Sequence, residues 1–75
     1  MAIQLDSTNP IIYSNRGLVN RKMEQFESAI EDYTKELQFG EKSNIKALNN
    51  RAYCYAKLGM YYPAIDDYSL VLTFD

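Results

Sequence analysis

The sequence predicts an all-α fold, a solenoid of antiparallel helix pairs. Three observations lead there. First, the chain repeats itself at a spacing of 35 residues: Asn15-Arg16 returns as Asn50-Arg51, Lys22 as Lys57, Ala29-Ile30 as Ala64-Ile65, Asp32-Tyr33 as Asp67-Tyr68, Leu37 as Leu72 and Phe39 as Phe74. That is nine identities over the paired positions 15–39 and 50–74, and a period of this length is the mark of a stacked repeat architecture. Second, apolar residues recur at i, i+3, i+4 and i+7, and no strand alternation is present. Third, the connections are short and rich in turn formers, so neighbouring helices pack antiparallel.

The elements follow in order. Ala2-Ile3-Gln4-Leu5-Asp6 matches the ends of the two later helices, Glu36-Leu37-Gln38-Phe39-Gly40 and Val71-Leu72-Thr73-Phe74-Asp75. Residues 1–9 therefore read as the end of a preceding repeat helix and its loop. Asn9 is the expected N-cap and Pro10 suits the first helical position, where its missing N–H costs nothing. The first helix is expected over 10–23, with Ile12, Tyr13, Gly17 and Asn20 on one face and Leu18, Val19 and Met23 adding apolar surface. Gly17 in mid-helix costs about 1 kcal/mol against Ala. Its counterpart is Ala52, so the position points to close approach of a neighbouring helix. Glu24-Gln25 is the turn.

The second helix is expected over 26–39, with a buried stripe of Phe26, Ala29, Ile30, Tyr33 and Leu37. Glu31 lies four residues before Lys35, a favourable pairing distance, and Gly40 suits a C-terminal cap. The polar loop Glu41-Lys42-Ser43-Asn44 follows, with Ser43 or Asn44 capping a third helix over 44–57. Ile45, Leu48, Ala52 and Tyr55 form its buried stripe, and Lys57 and Gly59 end it. The fourth helix is expected over 61–74, with Pro63 in its first turn and Tyr61, Ala64, Ile65, Tyr68 and Leu72 facing inward. The repeat units are thus 10–43 and 44–75, in an array that the sequence reads as truncated.

Composition narrows the function. The 75 residues carry a formal charge of −2, are 47% hydrophobic and 24% charged, and include seven Tyr and three Phe. No clustered basic excess marks a nucleic-acid footprint. No run approaches the ~20 apolar residues of a membrane span, and the start lacks a signal peptide's basic leader and apolar core. The lone Cys54 cannot form an internal disulfide, which fits a reducing, cytoplasmic setting. The chain has no His, hence no His-based general base or metal site. Asp66 and Asp67 point in different directions on a helix, unlike a working carboxylate pair, and the glycines make no phosphate-cradling loop. No enzyme activity, cofactor or metal is expected.

Leu48, Arg51-Ala52, Tyr55, Gly59, Tyr61, Ala64 and Tyr68 in the second copy, with Tyr13, Arg16-Gly17, Ala29 and Tyr33 in the first, resemble the tetratricopeptide repeat pattern. The resemblance covers nearly the whole chain. Three positions depart from it: Asn20 where Tyr is usual, Glu24 where the turn usually has Gly, and Glu41 where Pro often ends the repeat. Arg16 and Arg51 also stand where Leu is usual. The family implies a right-handed superhelix whose first helices line a concave face that binds peptides or partner proteins.

On those helices the positions outside the buried stripe are Ser14, Asn15, Leu18, Arg21 and Lys22, and Lys46, Asn49, Asn50, Tyr53 and Lys57. These residues, Ser14 apart, are the expected peptide-binding set. The set is basic and amide-rich. Glu27, Glu31, Asp32, Glu36, Asp66 and Asp67 fall on the second helices, so the groove would suit an acidic peptide or a C-terminal carboxylate. The stretch from Ala2 to Arg16 is also similar to the junction before the second repeat of co-chaperone clamp domains, which hold the terminal carboxylate of heat-shock chaperones. Asn15 and Lys46 match two of the five clamp groups, Asn50 replaces an Arg, and the other two fall outside the chain.

Several of these residues have a plainer reading. Asn15 and Asn50 would serve as ligand amides or bind a neighbouring helix backbone. Tyr53 would stack on a ligand or shield the superhelix edge. Lys22 and Lys57 would meet carboxylates or complement a helix dipole. Cys54 reads as a small buried residue, and Arg16 and Arg51 as partners for acids of adjacent helices. A second function stands beside peptide binding: head-to-tail self-association, in which the fourth helix of one molecule meets residues 1–23 of another as in a longer scaffold array.

Overall fold

The structure is a computed structural model and describes residues 8–74. The expected remnant of an earlier repeat at residues 1–7 lies outside the described residues. Four helices follow in order: α1 over Pro10–Lys22, α2 over Phe26–Phe39, α3 over Ile45–Lys57 and α4 over Tyr61–Phe74. Each packs on the next, and the molecule is elongated, 45 × 26 × 14 Å.

The helix starts are built as their sequences require. Asn9 accepts the Ile11 N–H on its side-chain oxygen at 2.9 Å. Asn44, rather than Ser43, caps α3 by accepting the Ala47 N–H at 3.0 Å. Both satisfy a backbone donor that the first turn leaves without a helical partner.

The ends of α1 and α3 share one design. Gln25 and Met60 donate their N–H groups back to the carbonyls of Asn20 and Tyr55, at 2.8 and 2.9 Å. Glu24 and Gly59 do the same to Arg21 and Ala56, both at 3.0 Å. This paired return demands a left-handed residue just past the helix. Gly59 supplies it at φ 78°, whereas Glu24 is forced there at φ 61°. Gly40 is the C-cap of α2 as expected, donating its N–H to the Glu36 carbonyl, though at φ −109° and not in the left-handed region. Its reason is space: a Cβ there would lie 2.9 Å from the Glu36 carbonyl oxygen and 3.0 Å from Pro10.

Each pair of helices is tied by an arginine and an aspartate 16 residues apart. Arg16 donates from Nε and Nη2 to Asp32 Oδ1 at 3.0 and 2.7 Å, and Asn20 donates to Oδ2 at 2.8 Å. Arg51 grips Asp67 with two bonds of 2.7 Å, one to each oxygen. Its remaining nitrogen donates to Thr34 on α2 at 3.2 Å, so this arginine spans both repeats. The expected pairing of these arginines with acids of adjacent helices is thus found. The hydrogen bond to aspartate is the main cause that raises both arginines above their ordinary pKa.

The apolar core lies mainly between the repeats. Ala29 and Tyr33 of α2 pack with Cys54 of α3, flanked by Phe26 and Ile30. Leu37 packs with Ala47 and Leu48, flanked by Val71. Gly17 meets the expected close approach, since a Cβ there would lie 2.9 Å from the Tyr33 ring.

Several inward assignments do not hold. Ile12, Tyr61, Ile65, Tyr68 and Leu72 are exposed, because no described element covers those sides of α1 and α4. Asp32, Glu36 and Asp67 lie on the second helices as expected and are buried there. They sit one position before Tyr33, Leu37 and Tyr68, which turns them toward the first helices. Lys35 pairs with no described acid but lies 5.5 Å from the Tyr13 ring centre, so the expected Glu31–Lys35 pair is absent.

Two stability outcomes follow. Glu24→Gly relieves the left-handed strain of ~1–2 kcal/mol but gives back part of it as chain entropy. Urea unfolding of that variant should show a net gain of about 0.5–1 kcal/mol. Arg51→Ala strands a buried carboxylate and should cost about 3–5 kcal/mol. Arg16 is 55% exposed against 18% for Arg51, and Asn20 still serves Asp32, so Arg16→Ala should cost about 1–2 kcal/mol. Equal losses in the two variants would contradict this ranking.

Candidate functional site

The first helices α1 and α3 both pack against α2, α1 within its hairpin and α3 across the repeat boundary. Their C-terminal ends meet around one cleft of about 380 Å³, lined by Arg21, Lys22, Glu24, Phe26, Tyr53 and Lys57. Four of the expected peptide-binding residues are among these. Tyr53 is the centre: the Arg21 guanidinium lies 5.4 Å and the Lys57 ammonium 5.5 Å from its ring centre. Phe26 meets the same ring edge-on at 6.2 Å. Cations held over an aromatic face are attracted by its quadrupole, so Tyr53 fixes where two charges sit.

Arg21 reaches further in. Its charge acts on both the buried Tyr33 hydroxyl and the buried Cys54 thiol, opposing the burial that pushes both groups up. A thiol raised in this way is poorly nucleophilic, in keeping with Cys54 as a core residue. Arg21 Nε and the Tyr33 hydroxyl are both buried and neither meets a partner in good hydrogen-bond geometry, but the two side chains face each other and Arg21 acts on the hydroxyl as a weak hydrogen-bond donor.

Lys22 and Lys57 lie in the last turns of α1 and α3. The carbonyl ends of those helices favour a positive charge there. The dipole reading and the ligand reading thus share one geometry. Three cations and Glu24 leave the cleft net positive on a chain whose formal charge is −2.

The other expected residues lie away from this cleft. Asn15 and Leu18 are exposed on α1; on α3, Asn49 is exposed and Asn50 half-buried. The side chains of Asn15, Asn49 and Asn50 make no hydrogen bond among the described residues, so the neighbouring-backbone role is not seen. Lys46 lies in the first turn of α3, at the far end, where its charge acts on Glu36.

Glu24 and Phe26 were not anticipated at the site. Phe26 was assigned to the buried stripe of α2 and is half-buried, one edge in the core cluster and one in the cleft. Its place directly after the turn, level with the last turn of α1, was the available signal. Among the described residues no group of three metal-ligating side chains occurs. No described helix is long and apolar enough to cross a membrane.

Comparison with known proteins bears on this geometry. Two family models match, both described as tetratricopeptide repeat, one over residues 11–37 and one over 45–75. Among relatives, mouse DnaJ homolog subfamily C member 7 is 42% identical over 64 residues, covering 85% of this chain and 13% of the relative. Rat sperm-associated antigen 1 is 40% identical over 60 residues, covering 80% of this chain and 7% of the relative. Chimpanzee dynein axonemal assembly factor 4 is 28% identical across the whole chain, which spans 20% of its length. The chain thus spans a fifth or less of these relatives. Two matched models, laid in tandem over α1–α2 and α3–α4, show that this chain belongs to the tetratricopeptide repeat family.

Proposed function

We propose that the α1–α3 surface docks a peptide or a segment of a partner protein, and that the Arg21–Tyr53–Lys57 cleft takes an acidic group of that partner. Repeats of this family are protein-interaction modules. The observation that supports the acidic preference is the convergence of Arg21, Lys22 and Lys57 around Tyr53. A carboxylate entering there meets two cations already positioned, which lowers the ordering cost of binding. A side-chain or C-terminal carboxylate would serve equally.

Two relatives carry names that speak of other proteins: one is a DnaJ homolog, the other an assembly factor for axonemal dynein. Only the docking of protein is carried over from them. A cytoplasmic setting accords with the buried, unpaired Cys54.

A second reading has its own observation. α4 exposes Tyr62 at 84% and Leu72 at 78%, with Tyr61 and Ile65 beside them. An apolar face of this kind is what one repeat offers the next in a stacked array. Head-to-tail packing through α4 and the α1 end would cover it, and both readings can hold in one molecule.

An acidic peptide, titrated by fluorescence anisotropy, tests the first reading. Replacing Arg21 and Lys57 together by Ala should weaken binding by at least about tenfold, with helix content unchanged by circular dichroism. Lys46→Ala with Asn50→Ala should also weaken binding, but less. Unchanged affinity in the first pair would sink the cleft assignment. For the second reading, light scattering should show mass rising with concentration, and Leu72→Glu should abolish the rise.

A further inference from the structure

At the opposite end of the same two helices lies a second pocket, of about 310 Å³. Ser14, Glu36, Glu41 and Asn44 supply its polar groups, and Pro10 and Ile11 an apolar wall. We propose that this pocket receives a basic side chain, lysine or arginine, of a bound protein segment, with Glu36 as its counter-ion.

The argument starts from Glu36. Its residue is only 8% exposed. Asn44 donates to Oε2 at 3.1 Å and the Ser14 hydroxyl also favours the charged carboxylate, but Oε1 is buried and no donor meets it in good hydrogen-bond geometry. A buried carboxylate oxygen so weakly served is costly. Burial pushes Glu36 above the usual glutamate range, against the pull of Ser14, Asn44 and Lys46. A perturbed acid lining a cavity is a mark of a binding site. Burial outweighs the neighbours that favour the charge, so a cation entering the pocket would offset a cost that they leave.

The rest of the pocket fits a cation. Glu41 adds a second carboxylate at the rim, and the carbonyl end of α2 partly offsets the positive N-terminal ends of α1 and α3 that meet there. Pro10 and Ile11 offer a surface for the aliphatic stem of Lys or Arg, whose head then reaches the acid. Gly40 lets Pro10 and the end of α2 approach, since any Cβ would press on both. Lys46 faces the same carboxylate from α3 without coming within ion-pair distance. A metal ion is a poor alternative, since the described residues form no ligating cluster.

This inference stands apart from the Arg21–Tyr53–Lys57 cleft. If both hold, their centres are separated by the length of α3, about 20 Å for its 13 residues. A partner segment lying along the helices would then carry a basic residue at one end and an acidic one at the other, some six extended residues apart.

The test uses Nα-acetyl-lysine methylamide and its arginine analogue, titrated into the whole chain and followed by amide chemical shifts. The norleucine analogue serves as the uncharged control. Saturable shifts at Ser14, Glu36 and Asn44 are expected with the two cations and not with norleucine. Glu36→Gln should weaken the response by about tenfold or more. Folding is controlled by the same variant. With its folded pKa raised, Glu36 adds stability below the ordinary value of 4.5, and that stability is lost as pH rises through the raised value. Glu36→Gln should therefore be at least as stable as the native chain at neutral pH while losing the probe. Equal shifts with norleucine, an undiminished response in Glu36→Gln, or a response seen only after Lys46→Ala would each overturn the proposal. The last outcome would make Lys46 the occupant. Acidic-peptide binding at the other cleft, measured separately, is untouched by any of these results.

Discussion

A buried aspartate on each second helix must be met by an arginine on each first helix, and this requirement orders the rest of the structure. Asp32 and Asp67 are almost wholly out of water, where an unpaired carboxylate would be prohibitive. Arg16 and Arg51 stand where the family usually has an apolar residue, and each reaches across its hairpin to the acid. The pairs fix the register of α1 on α2 and of α3 on α4. The two are unequal. Arg51 is the more enclosed, divides its bonds between both oxygens of Asp67, and extends to Thr34 of the preceding repeat.

That asymmetry matches the placement of the apolar core. Both core clusters bridge α2 and α3, so the repeats are joined by apolar packing while each hairpin is also tied by its own Arg–Asp pair. Tyr33 is fully buried in this seam, while its equivalent Tyr68 is 43% exposed. The same residue in the same local sequence has two fates because α3 covers one and no described helix covers the other. This is the one-dimensional logic of repeat proteins, in which each unit leans on its neighbours.

The first helices then give the surface two chemically different ends. Cations gather around Tyr53 where α1 and α3 finish, and a buried acid waits where they begin. The helix dipoles agree with the first arrangement, since lysines at helix C-termini are favoured on their own account. The N-terminal ends of α1 and α3 also favour an acid, yet burial still pushes Glu36 above the usual glutamate range.

The sequence by itself determined the helices and their limits. Asn9, Pro10 and Asn44 mark the starts, the turn at Glu24-Gln25 and Gly59 mark two ends, and the 35-residue echo pairs the elements. It also indicated that Arg16 and Arg51 meet acids and that Gly17 lies under a neighbour. Periodicity shows which residues share a face. It does not show whether anything covers that face, so Ile65 and Leu72 read as core and are exposed. Nor does it give the angular edge of a stripe, so the burial of Asp32, Glu36 and Asp67 beside Tyr33, Leu37 and Tyr68 is not read from it. The cleft was half legible: the basic residues stood out, but their convergence on Tyr53 and Phe26 depends on how α1, α2 and α3 cross. Glu36 was the least legible, because its character comes from desolvation, and desolvation is a property of the packed chain alone.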